Sequence, residues 1–534
     1  MPNPVATWDY LIVTAANERQ AAAYQAQIQL RRERNQLGQV RNALVIPDRD
    51  GLRIGSGGST LQCLEEVLQR ESRFDRNLPD QAALAAVLRR LRILIVHAGG
   101  DSRRLPAYAP CGKIFIPLPS VVRSIRGSTL FDRLVPAFLD MPSGPPDAGQ
   151  IVVTSGDALI QFDPSAVRFE REGITALGAP ASPEEASRHG VLCAGPDGAV
   201  RLYLQKPDLR AQTEAGASGR DGRPVLDIGV MSLDADAAAR LLCAFQTPAA
   251  REATRFHGID LYREVCCALG TETTLEQYTR AARASGSALA DALLAALYGE
   301  LHPIPLNLEL LDRCRFLHFG STSQLISSGL ELVEQDLGMP PSSAVLDINN
   351  AAQAEGGIVG HEVWVEGCRL RAPLRLGQRS VVTGVDVLDP LALPSGACLD
   401  VSAGTDRSGG AVYFVRCCGV DDTFKRSLEG GATFCGHPLA DWLRASAMSP
   451  GAIWPDRTPA DDRTLWNARL FPAEQTPDAF RQWLWMFDIG NATPQHKLAY
   501  RAADRYSSAE IALLVDQAAF HARRAALRED AEQA

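Results

Sequence analysis

No two of the twelve cysteines stand in a C-x-x-C spacing, which removes the commonest zinc and dithiol motifs. The adjacent pairs Cys266–Cys267 and Cys417–Cys418 read as buried strand or helix residues, and reduced structural thiols are expected throughout. No segment approaches the roughly 20 apolar residues of a membrane span. The N-terminal stretch has neither a basic n-region nor an apolar h-region, so no membrane attachment is expected and a cytoplasmic location is. Basic charge is also lacking: the formal net charge of −9 argues against a nucleic-acid-binding surface and leaves room only for a local basic pocket that receives small anions. His97, His189 and His257 have no metal-ligand spacing and read as satisfied interior or loop histidines.

What is present is an ordinary globular composition, with 46% hydrophobic and 22% charged residues. The chain of 534 residues exceeds one core, so two or three domains are expected. Apolar runs at Tyr10 to Ala15 and Ile93 to Ala98 end in small or turn-forming residues and predict buried parallel strands. An amphipathic stretch at Ala21 to Arg34, a strand at Ala43 to Pro47 and another at Ile151 to Thr154 continue an α/β alternation. Segments Val200 to Leu204 and Val225 to Leu233 extend the sheet, giving a catalytic domain over residues 1–300. Beyond it, Leu346, Ala352, Ile358, Trp364, Leu370, Leu376, Val382 and Leu388 recur at six-residue spacing. A hexad predicts a left-handed parallel β-helix over 301–460, with Gly360, Gly367, Gly377 and Gly384 at its corners. Residues 461–534 are charged and helical in pattern, anchored by Trp466, Leu470, Trp483 and Trp485, and predict a helical cap.

Two loops carry candidate chemistry. Gly55-Ser56-Gly57-Gly58-Ser59-Thr60-Leu61 follows a strand and is expected to open a helix near Thr60, offering free N–H groups to an anion or a base. No Gly-Lys-Ser/Thr follows, so it is not a P-loop. His97-Ala98-Gly99-Gly100-Asp101-Ser102-Arg103-Arg104-Leu105-Pro106 leads to Cys111-Gly112-Lys113-Ile114-Phe115-Ile116-Pro117. A Gly-rich turn at the end of a buried strand, followed by arginine and lysine, suits the binding and neutralisation of polyphosphate charge. Asp157 ends a strand in Thr154-Ser155-Gly156-Asp157, and Asp260 follows His257-Gly258-Ile259; Asp260 reads equally as a metal ligand and as a helix N-cap.

The second loop resembles the sugar nucleotidyltransferase signature, with Lys113 and Pro117 at its spacing. Asp101-Ser102-Arg103 stands where Gly-Thr-Arg is usual, and either Arg103 or Arg104 is able to face a triphosphate. Arg104-Leu105-Pro106 is similar to the L-fucose-1-phosphate guanylyltransferase family, which also forms the N-terminal half of bifunctional fucokinase/GDP-fucose pyrophosphorylases. Trp8-Asp9, Ile12-Val13-Thr14-Ala15-Ala16, the Gly55 and Gly99 loops, Gly112 to Pro119 and Thr464 to Pro472 carry the same resemblance.

The resemblance implies an α/β fold: a Rossmann-like nucleotidyltransferase domain, a β-helix and a helical C-terminal segment. It implies that GTP is cradled by Ala15, Gly55, Gly57, Gly58, Ser59, Gly99, Gly100, Asp101 and Ser102, and that Arg104 and Lys113 meet the triphosphate. Asp157 and Asp260 would hold Mg²⁺. Lys206, in Gln205-Lys206-Pro207, would meet the sugar phosphate, and Asp227, in Asp227-Ile228-Gly229, a sugar hydroxyl. The Gln205 position departs from the Glu of relatives. The chain carries neither the further few hundred residues nor the phosphate loop of a fused sugar kinase, so the sugar phosphate is expected from elsewhere. Two rival readings are an acyltransferase using His361 in the hexad region and a silent regulatory homologue.

Overall fold

The computed structural model describes residues 7–72, 80–100, 102–120, 127–219, 221–341, 343–353, 355–455 and 457–533. They divide into two compact units. The first holds the described residues of Met1–Gly100, Leu134–Gly156 and Ile160–Phe316; the second holds those of Asp101–Arg133, Asp157–Leu159 and Leu317–Ala534. The phosphate-loop candidates from Ser102 onward and Asp157 therefore cluster with the C-terminal half of the chain, a grouping that a division into sequential blocks does not anticipate.

In the first unit, β1 (Trp8–Ala15), α1 (Glu18–Glu33), β2 (Val40–Pro47), α2 (Gly55–Ser72), β3 (Arg92–His97) and β4 (Gln150–Ser155) follow the predicted alternation. β1, β3 and β4 are buried almost end to end, because a central parallel strand is covered on both faces and reads as a continuous apolar run. Asn17 caps α1 by accepting from Gln20 N. The sheet order is Leu306–Leu310, Ile174–Pro180, Val225–Leu233, β4, β3, β1, β2. The hairpin of Gly190–Ala194 and Val200–Gln205 joins it through Val225–Leu233. The chain runs from β1 outward to β2 and then back to β3 on the other side of β1, all in parallel. Such a reversal leaves a crevice beyond the carboxyl ends of β1 and β3, where α/β sheets take their ligands.

In the second unit, chain segments visit three sheets in rotation. Val345–Ile348, Val363–Glu366, Val381–Thr383 and Ala397–Thr405 form one side; Ala351–Ala352, Arg369–Leu370 and Asp386–Val387 the second; Ile358–Val359, Leu374–Leu376 and Leu391–Leu393 the third. All of these pairings are parallel. Leu346 pairs with Trp364, eighteen residues on, but Trp364 then pairs with Val381 and Val381 with Cys398, each seventeen on. An eighteen-residue turn, as the hexad requires, is therefore kept only on the first two sides of the first turn; its third side pairs Ile358 with Leu374, sixteen on. Leu388 is exposed and Val387 takes its inward place; Ala352 is exposed and Ile358 only half-buried, because both sit in the terminal strands of their sheets. Corners recur with positive φ at Asn349, Gly367 and Gly384, and again at Glu362, Arg379 and Gly396. Gly360 and Gly377 are not among them: a Cβ at Gly377 would meet Ser395 N at 2.2 Å, so close approach explains that glycine.

The C-terminal segment is not wholly helical. Phe471–Glu474 pairs with the strand Ala411–Gly419 and with Arg505–Tyr506, before helices Ser508–Leu514 and Gln517–Gln533. Trp466, Leu470 and Trp483 are buried as expected, and Trp485 is half-buried. The twelve thiols are unpaired, and all but Cys243 and Cys314 are buried. Among the described residues no helix is long and apolar enough to cross a membrane.

Candidate active site

At the carboxyl end of β1, the Ala15 carbonyl accepts from Asp48 N at 2.7 Å. Thr14 Oγ1 accepts from Ala98 N and Gly99 N at 3.1 and 3.3 Å, which draws the start of the second loop onto β1. A Cβ at Gly99 would lie 3.4 Å from the Ala15 carbonyl carbon, whereas one at Gly100, with φ at 109°, would meet nothing within 4 Å. Gly100 thus supplies a backbone turn and Gly99 a close approach.

The Gly55 loop differs from its sequence reading. The helix starts at Gly55, not near Thr60, so the glycines form the first turn of α2. Its N–H groups at Gly57 and Gly58 are already used, donating to the Ile259 carbonyl at 2.8 and 3.2 Å. A Cβ at Gly55 would sit 2.3 Å from that same oxygen, and one at Gly57 2.7 Å from Ile259 Cγ2. These glycines bring α2 against the segment that ends in Asp260, and Ser56 Oγ extends the contact by accepting from Leu261 N at 2.8 Å. Gly55→Ala, with φ at 77°, is expected to cost about 1–3 kcal/mol through overpacking and left-handed strain. A lowered urea midpoint, with the loss carried by the first unit, checks it.

Ser59 donates to Asp48 Oδ1 at 2.7 Å, and burial pushes the Asp48 carboxyl up to about 6. Asp48 was not nominated from sequence, although it ends β2 as Asp157 ends its strand, a signal equally visible there. Thr60 Oγ1 lies 3.0 Å from His97 Nε2, and burial pushes that imidazole down to about 4, so it is neutral at pH 7, a satisfied histidine. Asp260 acts as an N-cap: its Oδ1 accepts from Tyr262 N and Arg263 N at 3.0 and 2.9 Å. Tyr262 in turn approaches Gly229, whose absent Cβ would lie 3.4 Å from the phenol oxygen and 3.6 Å from Ser155 Cβ.

Asp227 is buried, accepting from Tyr203 Oη and from Gly229 N, each at 2.7 Å. Burial pushes its carboxyl up to about 6. A carboxyl with a raised folded-state pKa binds its proton more tightly in the folded than in the unfolded chain. Its unfavourable contribution is therefore absent below about pH 4 and complete above about pH 6, so stability falls as pH rises through that window. Asp227→Asn, with the Tyr203 hydroxyl turned to accept, is expected to gain stability relative to the parent as pH rises from about 4 to about 7, by an amount on the order of 2–3 kcal/mol. Denaturant melts of both proteins at the two pH values check this, and a pH-independent difference refutes it. Lys206 is exposed at the end of Val200–Gln205 with φ at 50°, its N–H donating to His189 O at 2.9 Å. Beside it, Gln205 Oε1 is buried with no hydrogen-bond partner among the described residues.

In the second unit, Asp101 lies outside the described residues. Ser102 is buried with φ at 51°, and its carbonyl accepts from Leu105 N at 2.7 Å. Gly112, with φ at 67°, turns the chain into Lys113. Lys113 Nζ pairs with Asp157 Oδ2 at 3.2 Å, the lysine side chain 18% and the aspartate 47% exposed. A Cβ at Gly320 would lie 3.4 Å from Arg104 Nη2, 3.4 Å from Gln324 Oε1 and 3.6 Å from Lys113 Nζ. Two cations thus flank a glycine that opens the helix Thr322–Leu337, and Thr322 N donates to the Arg104 carbonyl at 3.1 Å. A cavity of about 400 Å³ opens here, lined by Arg104, Ser321, Thr322, Gln324, Lys425 and Arg426 among others. Gly320 and Gln324 were missed because they lie inside the stretch 301–460 read as β-helix; Gly320-Ser321-Thr322-Ser323 ahead of a helix was the available signal. A larger cavity, about 770 Å³, lies between α2 and helix Pro248–His257, where Gly58 alone of the nominated residues reaches it.

The profile of the fucose pyrophosphorylase domain matches residues 85–476, most of the chain and all of the second loop. The chain belongs to the fucose pyrophosphorylase family. It is 25% identical over 556 residues to a bifunctional fucokinase/GDP-fucose pyrophosphorylase of Arabidopsis thaliana, covering 96% of this chain and 51% of that one. It is 28% identical over 415 residues to an L-fucokinase/L-fucose-1-P guanylyltransferase of Bacteroides fragilis, covering 75% and 40%. With a fucose-1-phosphate guanylyltransferase of Homo sapiens it shares 25% identity over 535 residues, covering 87% and 81%. The chain spans about half the length of the bifunctional relatives. Within the family match fall Gly99, Gly100, Ser102, Arg104, Lys113, Asp157, Lys206, Asp227 and Asp260, while Ala15 and Gly55 to Ser59 precede it.

Proposed function

We propose that this member of the fucose pyrophosphorylase family is a nucleotidyltransferase that joins GTP and L-fucose-1-phosphate to give GDP-L-fucose and pyrophosphate. The observation that carries the reading is that Arg104 and Lys113 both lie beside Gly320 while Lys113 pairs with Asp157, inside the matched segment. A phosphate oxygen of the sugar phosphate attacks the α-phosphorus of GTP in line, and the bond to the bridging oxygen of the β-phosphate breaks as pyrophosphate departs. The attacking oxygen is already ionised and the leaving group is an anion, so no protein nucleophile or proton transfer is needed. Arg104 and Lys113 stabilise charge gathering on the triphosphate. Lys206 positions the sugar phosphate, and Asp227 and Gln205 face sugar hydroxyls; an unpartnered buried amide oxygen suits a hydroxyl donor. Ala15, Ser59, Gly99 and Gly100 border the nucleotide beyond β1 and β3.

The donor set fits a hard cation. Among the described residues no three His, Cys, Asp or Glu groups gather, which disfavours an all-protein metal cage, while Mg²⁺ takes one or two carboxylates and completes its shell from phosphate and water. Asp157 and Asp260 are the carboxylates proposed for it, and when bound it would neutralise charge at the attacked phosphate. The three-sided coil is proposed to be left-handed, and the site of action cytoplasmic.

The test is pyrophosphate release from GTP, ATP, UTP and CTP across a panel of sugar-1-phosphates with Mg²⁺. Turnover greatest with GTP and fucose-1-phosphate supports the reading; turnover with another pair corrects the substrate, and silence from a folded protein rejects it.

A further inference from the structure

Tyr108 stands four residues after Arg104 and five before Lys113, and it is fully buried. Its hydroxyl accepts from Trp364 Nε1 at 2.8 Å and donates to Glu366 Oε2 at 3.2 Å, while the two rings meet edge to face at 6.3 Å. The same carboxylate oxygen accepts from Arg524 Nε at 3.0 Å and Nη2 at 2.6 Å. Arg524 belongs to the last helix, Gln517–Gln533, where its guanidinium lies 3.3 Å over the Phe520 ring and donates to the Phe520 carbonyl. Glu366 is wholly buried and its Oε1 has no hydrogen-bond partner among the described residues, so every bond that this carboxylate makes to them runs through Oε2. A continuous chain of directional bonds thus leads from the last helix, through one strand of the coil, to the middle of the loop that bears both candidate phosphate cations.

A buried ion pair is a poor way to gain stability, since well-packed apolar residues of the same volume do as well or better. It does fix direction. Apolar contacts let a loop slide, whereas a guanidinium fork on a carboxylate oxygen that also holds a phenol constrains the loop at its centre. Other tethers hold its ends: Thr322 N on the Arg104 carbonyl, and Asp336 accepting from Ser120 Oγ and Arg133 Nη2, each at 3.0 Å. Misplacement of a reacting group by about 1 Å is enough to cost about 10²-fold in rate.

We infer that Arg524, acting through Glu366 and Tyr108, is a positioning residue for Lys113, so that the last helix forms part of the phosphate-binding machinery rather than a cap. This rests on the nucleotidyl-transfer reading above for its consequence in turnover, but not for its consequence in phosphate binding.

The test is a double-mutant cycle between Tyr108→Phe and Lys113→Ala in the full chain. Tyr108→Phe keeps the packed ring and removes only the hydroxyl, so it is expected to fold. Two readouts are taken: kcat for pyrophosphate release, and calorimetric binding of inorganic pyrophosphate with Mg²⁺. Tyr108→Phe is expected to lower kcat about 10- to 100-fold and to weaken pyrophosphate binding several-fold, and to do neither once Lys113 is alanine. Arg524→Met is expected to follow Tyr108→Phe, with Arg524→Lys intermediate because it keeps charge but loses the fork. Equal fold-losses in both Lys113 backgrounds, or no loss at all, overturn the inference, as does a parent protein that binds no pyrophosphate. Coupling in binding without any turnover by the parent upholds positioning and sinks the transferase reading; turnover without coupling does the reverse.

Discussion

Lys113→Ala is expected to lower kcat for the proposed reaction by about 10²- to 10³-fold while leaving the fold intact, because the preorganised cation proposed to face developing phosphate charge would act mainly in the transition state. The side chain is held rather than loose: Gly112 turns the backbone into it, its ammonium rests on Asp157 and its stem is mostly buried. That preorganisation is why deletion is expected to weigh on kcat more than on the KM for GTP. Lys113→Arg is expected to rescue poorly, since a planar fork does not fit where a compact ammonium stands 3.2 Å from Asp157 and close to Gly320. Steady-state pyrophosphate release with GTP and fucose-1-phosphate checks all three statements. A Lys113→Ala enzyme within threefold of the parent removes Lys113 from the transition state.

Arg524→Ala is expected to destabilise the second unit by about 3–5 kcal/mol, the cost of leaving a buried carboxylate uncompensated. Among the described residues, Tyr108 Oη is the one other hydrogen-bond donor to Glu366 Oε2, and Oε1 accepts none. The paired change Arg524→Met with Glu366→Gln is expected to restore most of that loss, because it removes the stranded charge as well as its partner. Every tryptophan except Trp8 lies in the second unit, so the fluorescence transition in urea reports this unit and its midpoint checks the prediction. Equal instability of the single and paired variants would mean that packing around Phe520, not charge, sets the cost.

The candidate site was legible in proportion to how local its signals were. The second loop could be read because Gly99, Gly100, Arg104 and Lys113 lie within fifteen residues and each residue type has a direct use around phosphate. The Gly55 loop was found, but the packing of its glycines could not be read from it: glycine tolerates close approach to a ligand and to protein backbone equally well, and only the Ile259 carbonyl 2.3 Å from an added Cβ at Gly55 reveals the backbone contact. The same ambiguity applied to Asp260, where an acid ahead of a helix serves as metal ligand, cap or both: the Tyr262 and Arg263 amides show that Oδ1 caps, and metal ligation by the carboxylate stays a proposal. In the coil, six-residue spacing located the three-sided region, but the turns after Trp364 are one residue shorter, which moves the inward position from Leu388 to Val387.

By itself the sequence determined the parallel strands β1, β3 and β4, the presence of a repeating β region and the position of the Gly/Arg/Lys loop for which a phosphate role is proposed. Each is written in residues that are neighbours in the chain: a doubly covered strand is an apolar run, a coil is a spacing, and a loop is a motif. Only the tertiary structure decided that the described residues of Ser102 to Arg133 and Asp157 group with the C-terminal half, that Asp48 takes Ser59, that Gly320 lies beside both Arg104 and Lys113, and that Arg524 reaches Glu366 from 158 residues away. Hydrogen-bond and ion-pair partners so far apart leave no periodicity and no local composition to read, because what selects them is the geometry of the packed chain and the cost of burying a polar group alone.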